Sequence, residues 1–488
     1  MPDNLKQKAL HGVWWSAMER GGAQAVQFVI GVVLARLLLP EQFGLIGMLS
    51  IFIMLSQVLL DSGFGRAIVQ RKQLTPVDTS SVFYLNIVAG LALAGVLMLV
   101  APAIGLFFEQ PELVPLTRFM AISVAIGGFS VVQAALLTRE LRYKALTLIS
   151  VTSILVSGTL GITLAYRDFG VWALAWQQVS MMSMRTALLW LMIGWRPHWS
   201  FSLTSLREMF SYGSKLMASG LMYSGFQHVY RVVIGKVYAP AELGFYTRAT
   251  SLQQTATLSI NSIISRVAFP VFASIQDDYV RLKRGMRRML RSLALVNTPV
   301  MLGLLVVAKP LVIVLLTEKW LPSVPLFQVL CLAGVLYPLH LVNVQFLTAT
   351  GRSGLNLKIT TAKNAIKLVA LAGTCPFGIL AIVWGQFGCS VISYFINSYY
   401  TARLLGYSFR DQLLDVAPSF FAGGFMAVCT FPLAYIPGLQ PWMLLLLQAA
   451  TGAIVFFGMC RLMRLEAFEE LYREARVKAK SLAASPRV

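Results

Sequence analysis

The stretch Val33-Leu-Ala-Arg-Leu-Leu-Leu-Pro-Glu-Gln-Phe-Gly44 joins two apolar runs, and parts of it return 200 residues later. The return keeps one gapless register through the first two apolar runs of each half of the chain. The matched pairs are Val32/Val232, Val33/Val233, Pro40/Pro240, Gly44/Gly244, Ser62/Ser262 and Arg66/Arg266, with Asp61 opposite Asn261. We therefore predict an internal duplication, with the quoted stretch at the start of the first copy.

The composition indicates that lipid surrounds much of this chain. Of its 488 residues 57% are apolar and 12% are charged, and the mean hydropathy is +0.70. A soluble protein of this length has too little interior to bury so many apolar side chains. The net charge is +21, but the cations lie at the ends of apolar runs. That placement is typical of cytoplasmic loops in a membrane protein and excludes a nucleic-acid surface.

Fourteen membrane-spanning helices are predicted, in an all-α fold. A span needs about 20 residues, because a rise of ~1.5 Å per residue must cross about 30 Å of hydrocarbon. The predicted spans are residues 12–38, 43–65, 81–107, 114–137, 145–166, 171–194, 212–237, 243–268, 289–316, 324–349, 357–375, 377–402, 416–435 and 441–463. We expect two six-helix lobes, residues 1–200 and 201–403, then two further spans within 404–463 and a basic tail at 464–488.

The connections between these spans alternate between cation-rich and cation-poor. Lys72, Lys144, Lys283 and Arg410 belong to the cation-rich set, whereas Glu112 belongs to the other. An even number of spans separates successive basic connections, so both termini are predicted in the cytoplasm and the chain in a bacterial inner membrane. Six spans separate the two copies of the duplication, which gives both copies the same orientation.

Polar side chains recur at helical spacing inside several predicted spans. Serine and glutamine alone would suit a seam between packed helices, and a lysine near a helix end can reach the surface along its own stem. A cation deep inside a span costs roughly 2.5–3.5 kcal/mol on insertion scales, so we favour a water-filled cavity. The predicted substrate-binding residues are Arg20, Gln24 and Gln27 in the first span, Lys215 and Gln227 in the seventh, Arg248, Ser251, Thr255 and Ser259 in the eighth, and Lys363 and Lys367 in the eleventh.

Three titratable residues are candidates for carrying a coupled ion, namely Glu19, Asp61 and His340. Of these, His340 would titrate near neutral pH, although a histidine that only packs is the commoner case. A proton, a sodium ion or the membrane potential alone could drive transport. No catalytic residue, cofactor or metal site is predicted, because the five cysteines lie in apolar stretches without ligand spacing.

The tail has an amphipathic pattern that predicts a helix lying along the membrane surface. Its apolar side is formed by Leu465, Phe468, Leu471, Tyr472, Ala475 and Leu482. The basic run at 281–291 is typical of a segment that determines topology, and binding of anionic lipid is the alternative.

The quoted stretch resembles the polysaccharide-transport branch of the MOP superfamily, which includes the Wzx-type flippases. Further segments carry the same resemblance from about residue 5 to residue 460: Asp61-Ser-Gly-Phe-Gly65, Val69-Gln-Arg-Lys72, Arg139-Glu-Leu-Arg142, Phe169-Gly-Val-Trp172, Gly244-Phe-Tyr-Thr-Arg-Ala249, Phe269-Pro270 and Lys319-Trp-Leu-Pro322. The resemblance implies two lobes around a central cavity that opens alternately to each side. It also implies an undecaprenyl-pyrophosphate-linked glycan as substrate, and the polymerase and export proteins of the same pathway as partners.

Two other classes of membrane protein compete with this interpretation. A drug or cation antiporter of the related MATE branch would need acidic residues inside its spans, and here Glu19 and Asp61 are the only acidic candidates. A membrane-embedded glycosyltransferase or polymerase would need a large outer loop or an acidic outer motif. The longest cation-poor connections have about a dozen residues, so the sequence favours a transporter.

Overall fold

The computed structural model describes residues 21–61, 63–470 and 473, without the side chains of 211, 212, 215, 216, 258–271, 273 and 353. The described part is helical and has no strand. Its α-helices are α1 (Gly21–Leu37), α2 (Pro40–Asp61), α3 (Phe64–Gln70), α4 (Pro76–Phe108), α5 (Leu113–Gly128), α6 (Val131–Arg139), α7 (Tyr143–Tyr166), α8 (Val171–Met192), α9 (Leu203–Val237), α10 (Pro240–Ser274), α11 (Tyr279–Val306), α12 (Ala308–Leu316), α13 (Ser323–Val335), α14 (Tyr337–Ala349), α15 (Ser353–Thr374), α16 (Ile379–Leu405), α17 (Phe409–Thr430) and α18 (Pro441–Leu462). Short 3-10 helices lie at Glu318–Trp320, Cys375–Phe377 and Phe431–Tyr435.

Each predicted span coincides with one helix or with two consecutive helices, except that residues 12–20 lie outside the described part. Within that part, seven helices are long and apolar enough to cross a membrane, or up to nine if each of two bent pairs is one span. Four more helices, α8, α9, α10 and α15, are long enough but too polar to be counted by composition. The chain is therefore a multi-pass membrane protein, and three of these polar helices carry predicted site residues.

Several helices begin before the predicted span, because a polar side chain caps their first turn. At the start of α4 the Thr75 hydroxyl accepts from the Asp78 N–H and the Asp78 carboxylate accepts from the Thr75 N–H. At the start of α11 the Asp278 carboxylate accepts from the N–H groups of Val280 and Arg281. Such caps satisfy donors that have no partner within the helix, so these helices extend beyond the apolar part of the sequence.

Helix contacts divide the chain into two compact units, Met1–Thr247 and Arg248–Val488. In the first unit α4 packs on α5, α7 on α8, and α2 on α9. In the second unit α11 packs on α13 and α17, and α15 packs on α16. The lobes at 1–200 and 201–403 stay a prediction.

Gly63 separates α2 from α3 and explains one of the sequence motifs. Its φ of 72° lies in the left-handed region that glycine adopts without strain. A Cβ atom at this position would also meet the backbone of Gly213 on α9. Beyond the break, the Arg139 guanidinium donates to the carbonyl of Ile68 at 2.6 Å and so caps the end of α3. Arg139 therefore stabilises the end of α3 in addition to contributing a positive charge to the basic loop.

Two segments that match at the offset of 200 residues touch each other inside the first unit. A Cβ atom on Gly44 would collide with the carbonyl of Pro240, and one on Gly244 would collide with the carbonyl of Pro40. The first turns of α2 and α10 thus meet in a reciprocal arrangement that we call the proline–glycine contact. Leu243 lies beneath it and is fully buried. The four-residue spacing of proline and glycine, which occurs at 40/44 and again at 240/244, is therefore the spacing that forms this contact.

The helical segment at 466–470 lies against α11 and α18 in the second unit. The Arg291 guanidinium contacts the Glu466 carboxylate at 2.5 Å, and that of Arg288 contacts Glu470 at 2.8 Å. The Phe468 ring packs against Phe457, with centroids 6.1 Å apart. Residues 466–470 of the tail therefore contact protein, and the remainder lies outside the described residues apart from Arg473. A tail helix along the membrane surface stays a prediction.

Each unit contains one helix pair that bends by 44°, α5–α6 in the first and α13–α14 in the second. At the second bend, the Asn297 amide on α11 donates to the Gly334 carbonyl at 3.0 Å. At the first bend, the Trp190 indole on α8 donates to the Phe129 carbonyl at 2.9 Å. A bend removes hydrogen bonds within a helix, so a neighbouring helix supplies the missing donor in both cases.

Candidate functional site

The second unit brings together three residues that the sequence predicts separately, Lys363 and Lys367 on α15 and His340 on α14. The three helices α14, α15 and α16 pack against one another. The Lys363 ammonium donates to the Asn397 Oδ1 on α16 at 3.1 Å, and the His340 Nε2 lies 2.9 Å from the Ser390 Oγ on the same helix. We call this group of five residues the lysine cluster.

The helix spacing of α15 explains why both lysines reach the cluster. Positions 363 and 367 differ by four residues, so they lie one above the other on one face. Both side chains are half-buried against α14 and α16, whereas Leu368 and Val369 are exposed on the remaining surface of α15. Two ammonium groups of like charge on one face repel each other, so an anion between them would relieve an unfavourable interaction.

Asn397 and Ser390 are the members of the cluster that sequence reasoning missed. Asn397 is fully buried, and its Nδ2 has no hydrogen-bond partner among the described residues. Polar residues recur along α16 at helical spacing, namely Gln386, Ser390, Ser393, Asn397 and Thr401. This pattern could have indicated both residues from the sequence. A buried amide in a membrane helix is itself a signal, because an unpaired polar atom there is costly.

The predicted face of α10 is only partly available to a ligand. The Arg248 guanidinium lies over the ring of Trp320, 5.9 Å from its centroid, and is half-buried. The Thr255 hydroxyl donates to the Ser251 carbonyl one turn earlier at 2.8 Å, so it bonds to its own helix. Ser251 is exposed, and Ser259 lies in α10 where side chains are not described. A cation–π contact with Trp320 therefore restrains the Arg248 guanidinium.

In the first unit the polar residues of α9 fall on two different faces. Gln227 and the neighbouring Tyr223 are exposed, the latter to 67%. His228 is buried, with its Nε2 2.8 Å from the Met54 Sδ and its Nδ1 3.2 Å from an Arg231 nitrogen. An exposed amide in the interior of a span is costly in contact with lipid, because lipid offers it no hydrogen bond. The face of α9 that carries Gln227 therefore fits a water-filled space.

The other predicted residues of this unit have varied positions. Gln24 is half-buried and Gln27 exposed on α1. Asp61 accepts the Gly65 N–H at the break between α2 and α3, so its carboxylate takes part in the local fold. Glu19 and Arg20 lie outside the described residues, and so does the side chain of Lys215.

An ion pair joins α4 and α9 near the proline–glycine contact. The Lys236 ammonium donates to the Glu109 carboxylate at 2.7 Å and lies 5.5 Å from the Phe107 ring centroid. This hydrogen bond, together with the lysine charge, lowers the pKa of Glu109. Because the carboxylate is exposed, water and salt screen the pair, and its contribution to stability is small.

Comparison with known proteins places residues 33–325 within the family described as "Polysaccharide biosynthesis protein". The chain is 27% identical over 463 residues to the teichuronic acid biosynthesis protein TuaB of Bacillus subtilis (strain 168), covering 93% of this chain and 95% of that one. It is 26% identical to the lipopolysaccharide biosynthesis protein WzxC of Escherichia coli (strain K12), covering 86% of each.

Two groups of solved structures share the fold. The lipid II flippase MurJ in an inward closed conformation matches with a TM-score of 0.74 and 11% identity, covering 92% of this chain and 98% of that one. An inward-facing multidrug resistance MATE family transporter of the MOP superfamily matches with a TM-score of 0.60 and 15% identity, covering 78% and 95%. These matches confirm the prediction of an all-helical membrane fold.

Proposed function

Because the chain belongs to the family of polysaccharide biosynthesis proteins, we propose that it is a flippase for a lipid-linked oligosaccharide. The proposed substrate is an undecaprenyl-pyrophosphate-linked glycan that moves from the cytoplasmic to the outer leaflet of a bacterial inner membrane. The names of the relatives, which concern teichuronic acid and lipopolysaccharide biosynthesis, support a surface polysaccharide as the product. The polymerase and export proteins of that pathway are the proposed partners.

The lysine cluster is the observation that carries this proposal. A pyrophosphate group that crosses the bilayer needs cations inside the protein, because hydrocarbon excludes it. Lys363 and Lys367 supply two ammonium groups, each with three donors, and Asn397 and Ser390 add neutral polar groups beside them. Lysine suits a ligand that must leave again, because its point charge does not fix the phosphate in one bidentate geometry.

The proposed topology has fourteen spans with both termini in the cytoplasm. The charge alternation of the connections supports it, as does the coincidence of every predicted span with a helix or helix pair in the described residues. Cysteines introduced near Lys72, Lys144, Lys283 and Arg410 are expected to be shielded from an impermeant thiol reagent, and cysteines near Glu112 are expected to react. Reversed labelling at any two positions would contradict this topology.

The proposed mechanism is alternating access, with the proline–glycine contact closing the outer side. In the fourteen-span topology the first turns of α2 and α10 lie at the outer surface, so release to that side requires them to separate. Alanine at position 44 would push its Cβ atom into the Pro240 carbonyl, a backbone group that cannot rotate away. The closed arrangement would lose stability relative to an open one, which shifts the population.

Gly44→Ala therefore tests the contact, with Leu243→Cys as a reporter in a background whose five native cysteines are replaced by alanine. Labelling of the thiol introduced at position 243 by an impermeant reagent is expected to accelerate several-fold, because this buried position becomes open to solvent. Gly225→Ala is the matched control, since a Cβ atom on Gly225 meets no atom within 4 Å. Equal labelling rates in both variants would contradict a closing role.

Transport itself is tested with purified protein in vesicles that contain a fluorescent undecaprenyl-pyrophosphate-linked oligosaccharide. We expect Lys363→Ala and Lys367→Ala each to lower the flipping rate about tenfold or more, the equivalent of one lost charge-assisted hydrogen bond. Lys358→Ala, an exposed lysine on the same helix, is the control and should flip normally. Ethidium extrusion by the wild type without any flipping would contradict the proposal and favour a drug antiporter.

A further inference from the structure

A second polar site in the second unit is lined by residues that do not belong to the lysine cluster. It is a cavity of about 230 Å³ lined by Gln276, Asp277, Tyr279, Phe346, Thr350 and Arg352. Its walls come from the connection between α10 and α11 and from the connection between α14 and α15. The basic run at 281–291 follows the first connection closely, and Arg352 lies in the second. The charge pattern therefore places the cavity on the cytoplasmic side.

The polar groups of this cavity are available for a ligand. Among the residues that the structure describes, the side chains of Gln276, Asp277, Tyr279 and Arg352 form no hydrogen bond or ion pair. The Thr350 hydroxyl donates to the Phe346 carbonyl at 2.9 Å, which leaves its lone pairs as acceptors. One carboxylate, one carboxamide, one guanidinium and two hydroxyl groups thus face a common space.

The charges in the lining restrict the class of ligand. The Asp277 carboxylate repels an anion such as phosphate, and the Arg352 guanidinium repels a cation. A neutral molecule with many hydroxyl groups suits both, because each hydroxyl can donate to Asp277 or accept from Arg352. The mixture of donors and acceptors is therefore complementary to a sugar and to no simple ion.

The size of the cavity and the two aromatic residues in its lining agree with a single sugar ring. Pockets for drug-sized ligands measure roughly 300–1,000 Å³, so a smaller ligand is expected here. Phe346 is buried, with 1% of its surface exposed, whereas the Tyr279 ring is 53% exposed. An exposed aromatic ring offers a flat surface to the C–H face of a pyranose, and its hydroxyl offers a further hydrogen bond.

We propose that this cavity is a subsite for one neutral sugar of the lipid-linked glycan, bound at the cytoplasmic surface before the pyrophosphate enters. The inference rests on the proposed function, and it assigns the choice of glycan to a place apart from the cations that hold the pyrophosphate. The sugar contacts Asp277 and Arg352 through its hydroxyl groups and Tyr279 through its ring face.

Two measurements on the full-length protein test the subsite. The first is saturation-transfer NMR with the methyl glycosides of glucose, galactose, mannose and N-acetylglucosamine at millimolar concentration. At least one glycoside is expected to bind the wild-type protein. Its affinity for Asp277→Asn and for Tyr279→Ala is expected to be about tenfold lower, because each variant loses contacts to the sugar. The control is Tyr435→Ala, which removes an exposed tyrosine far along the chain from this cavity.

The second measurement compares flipping of undecaprenyl pyrophosphate with and without a neutral oligosaccharide. Both variants are expected to raise the half-saturating concentration of the sugar-bearing lipid about tenfold and to leave the bare lipid unchanged. Equal effects on both lipids, or no effect on either, would overturn the subsite, as would wild-type protein that binds no glycoside. Methyl glycosides that bind without any effect on flipping would identify a site for free sugars instead.

These outcomes separate the subsite from the proposed function. Wild type that flips neither lipid would overturn the flippase proposal, and the inference would fall with it. Wild type that flips both lipids, with Asp277→Asn and Tyr279→Ala behaving like wild type, would overturn the subsite alone. Thermal unfolding of both variants, which change exposed positions, verifies that each one is folded.

Discussion

The two bent helix pairs have the same angle but different hydrogen bonding. At the α13–α14 bend, the buried Asn297 amide donates to the Gly334 carbonyl at 3.0 Å, although its Oδ1 has no partner among the described residues. At the α5–α6 bend, Trp190 supplies the donor, and the fully buried Gln133 has no partner for either amide atom among the described residues. The geometry of a bend therefore does not determine which side chains stabilise it.

This difference predicts opposite effects for equivalent substitutions. Where a polar side chain completes the bend, its removal leaves a carbonyl unpaired in the membrane. Where a polar side chain is itself unpaired, its removal takes away a cost. The bend in the first unit also brings two backbones together, because a Cβ atom on Gly128 would lie 2.6 Å from the Asn86 carbonyl oxygen.

The largest expected effect is that of Gly128→Ala. The added methyl group meets the backbone of α4, which cannot move without displacing the helix, so we expect a loss of about 3 kcal/mol in the free energy of unfolding. Reversible unfolding in mixed detergent and SDS micelles measures it. Gly334→Ala at the other bend is the matched control and should cost less than about 1 kcal/mol, since its Cβ atom meets only the side-chain atoms of Met301 and Gln253. Equal costs would mean that the two bends pack alike.

The next effect is that of Asn297→Leu at the second bend. The substitution leaves the buried Gly334 carbonyl without its donor, and it also removes an Oδ1 atom that has no partner among the described residues. The second change offsets part of the first, so we expect a net loss of about 1.5 kcal/mol. The same unfolding measurement applies. Asn356→Leu, outside the bend, serves as control, and a loss as large in that variant would show that the cost is not specific to the freed carbonyl.

The smallest expected effect has the opposite sign. Gln133→Met replaces a buried amide, which has no partner in the described part of the chain, by an apolar side chain of similar length. We expect a gain of about 1 kcal/mol. Gln70→Met, at an exposed position, should change stability little. A loss of stability in the Gln133 variant would show that its amide has a partner in the membrane, such as a bound water molecule.

The architecture was within reach of the sequence because lipid requires long apolar segments with satisfied backbones. The all-helical membrane fold is confirmed, and the Pro40/Gly44 spacing that indicated a duplication recurs in the contact between the copies. The difference between the copies was harder to predict. Offset by 200 residues, Gly63 corresponds to Ile263, and α10 continues where α2 ends. A glycine permits a helix to break but does not require it. The break at Gly63 also depends on the close packing of the Gly213 backbone on α9, which the sequence does not show.

The candidate site could be predicted only in part. Helical spacing identified Lys363 and Lys367, because a periodic polar face is visible in one segment. It could not bring them to His340 or to Asn397, since contacts between helices depend on packing that no single segment contains. The roles of Arg248 and of Asp61 were also invisible, because each depends on a neighbour, Trp320 or Gly65. Their part in transport stays a prediction.

The proline–glycine contact has the same chemistry on both sides, a glycine backbone against a proline carbonyl, exchanged between the two copies. Such a mirror-like junction gives no preference for inward or outward movement, because opening it disturbs both copies equally. Whatever makes transport run in one direction must come from the parts in which the copies differ. Those parts include Gln133 of the first unit, whose amide has no partner among the described residues, and the lysine cluster of the second.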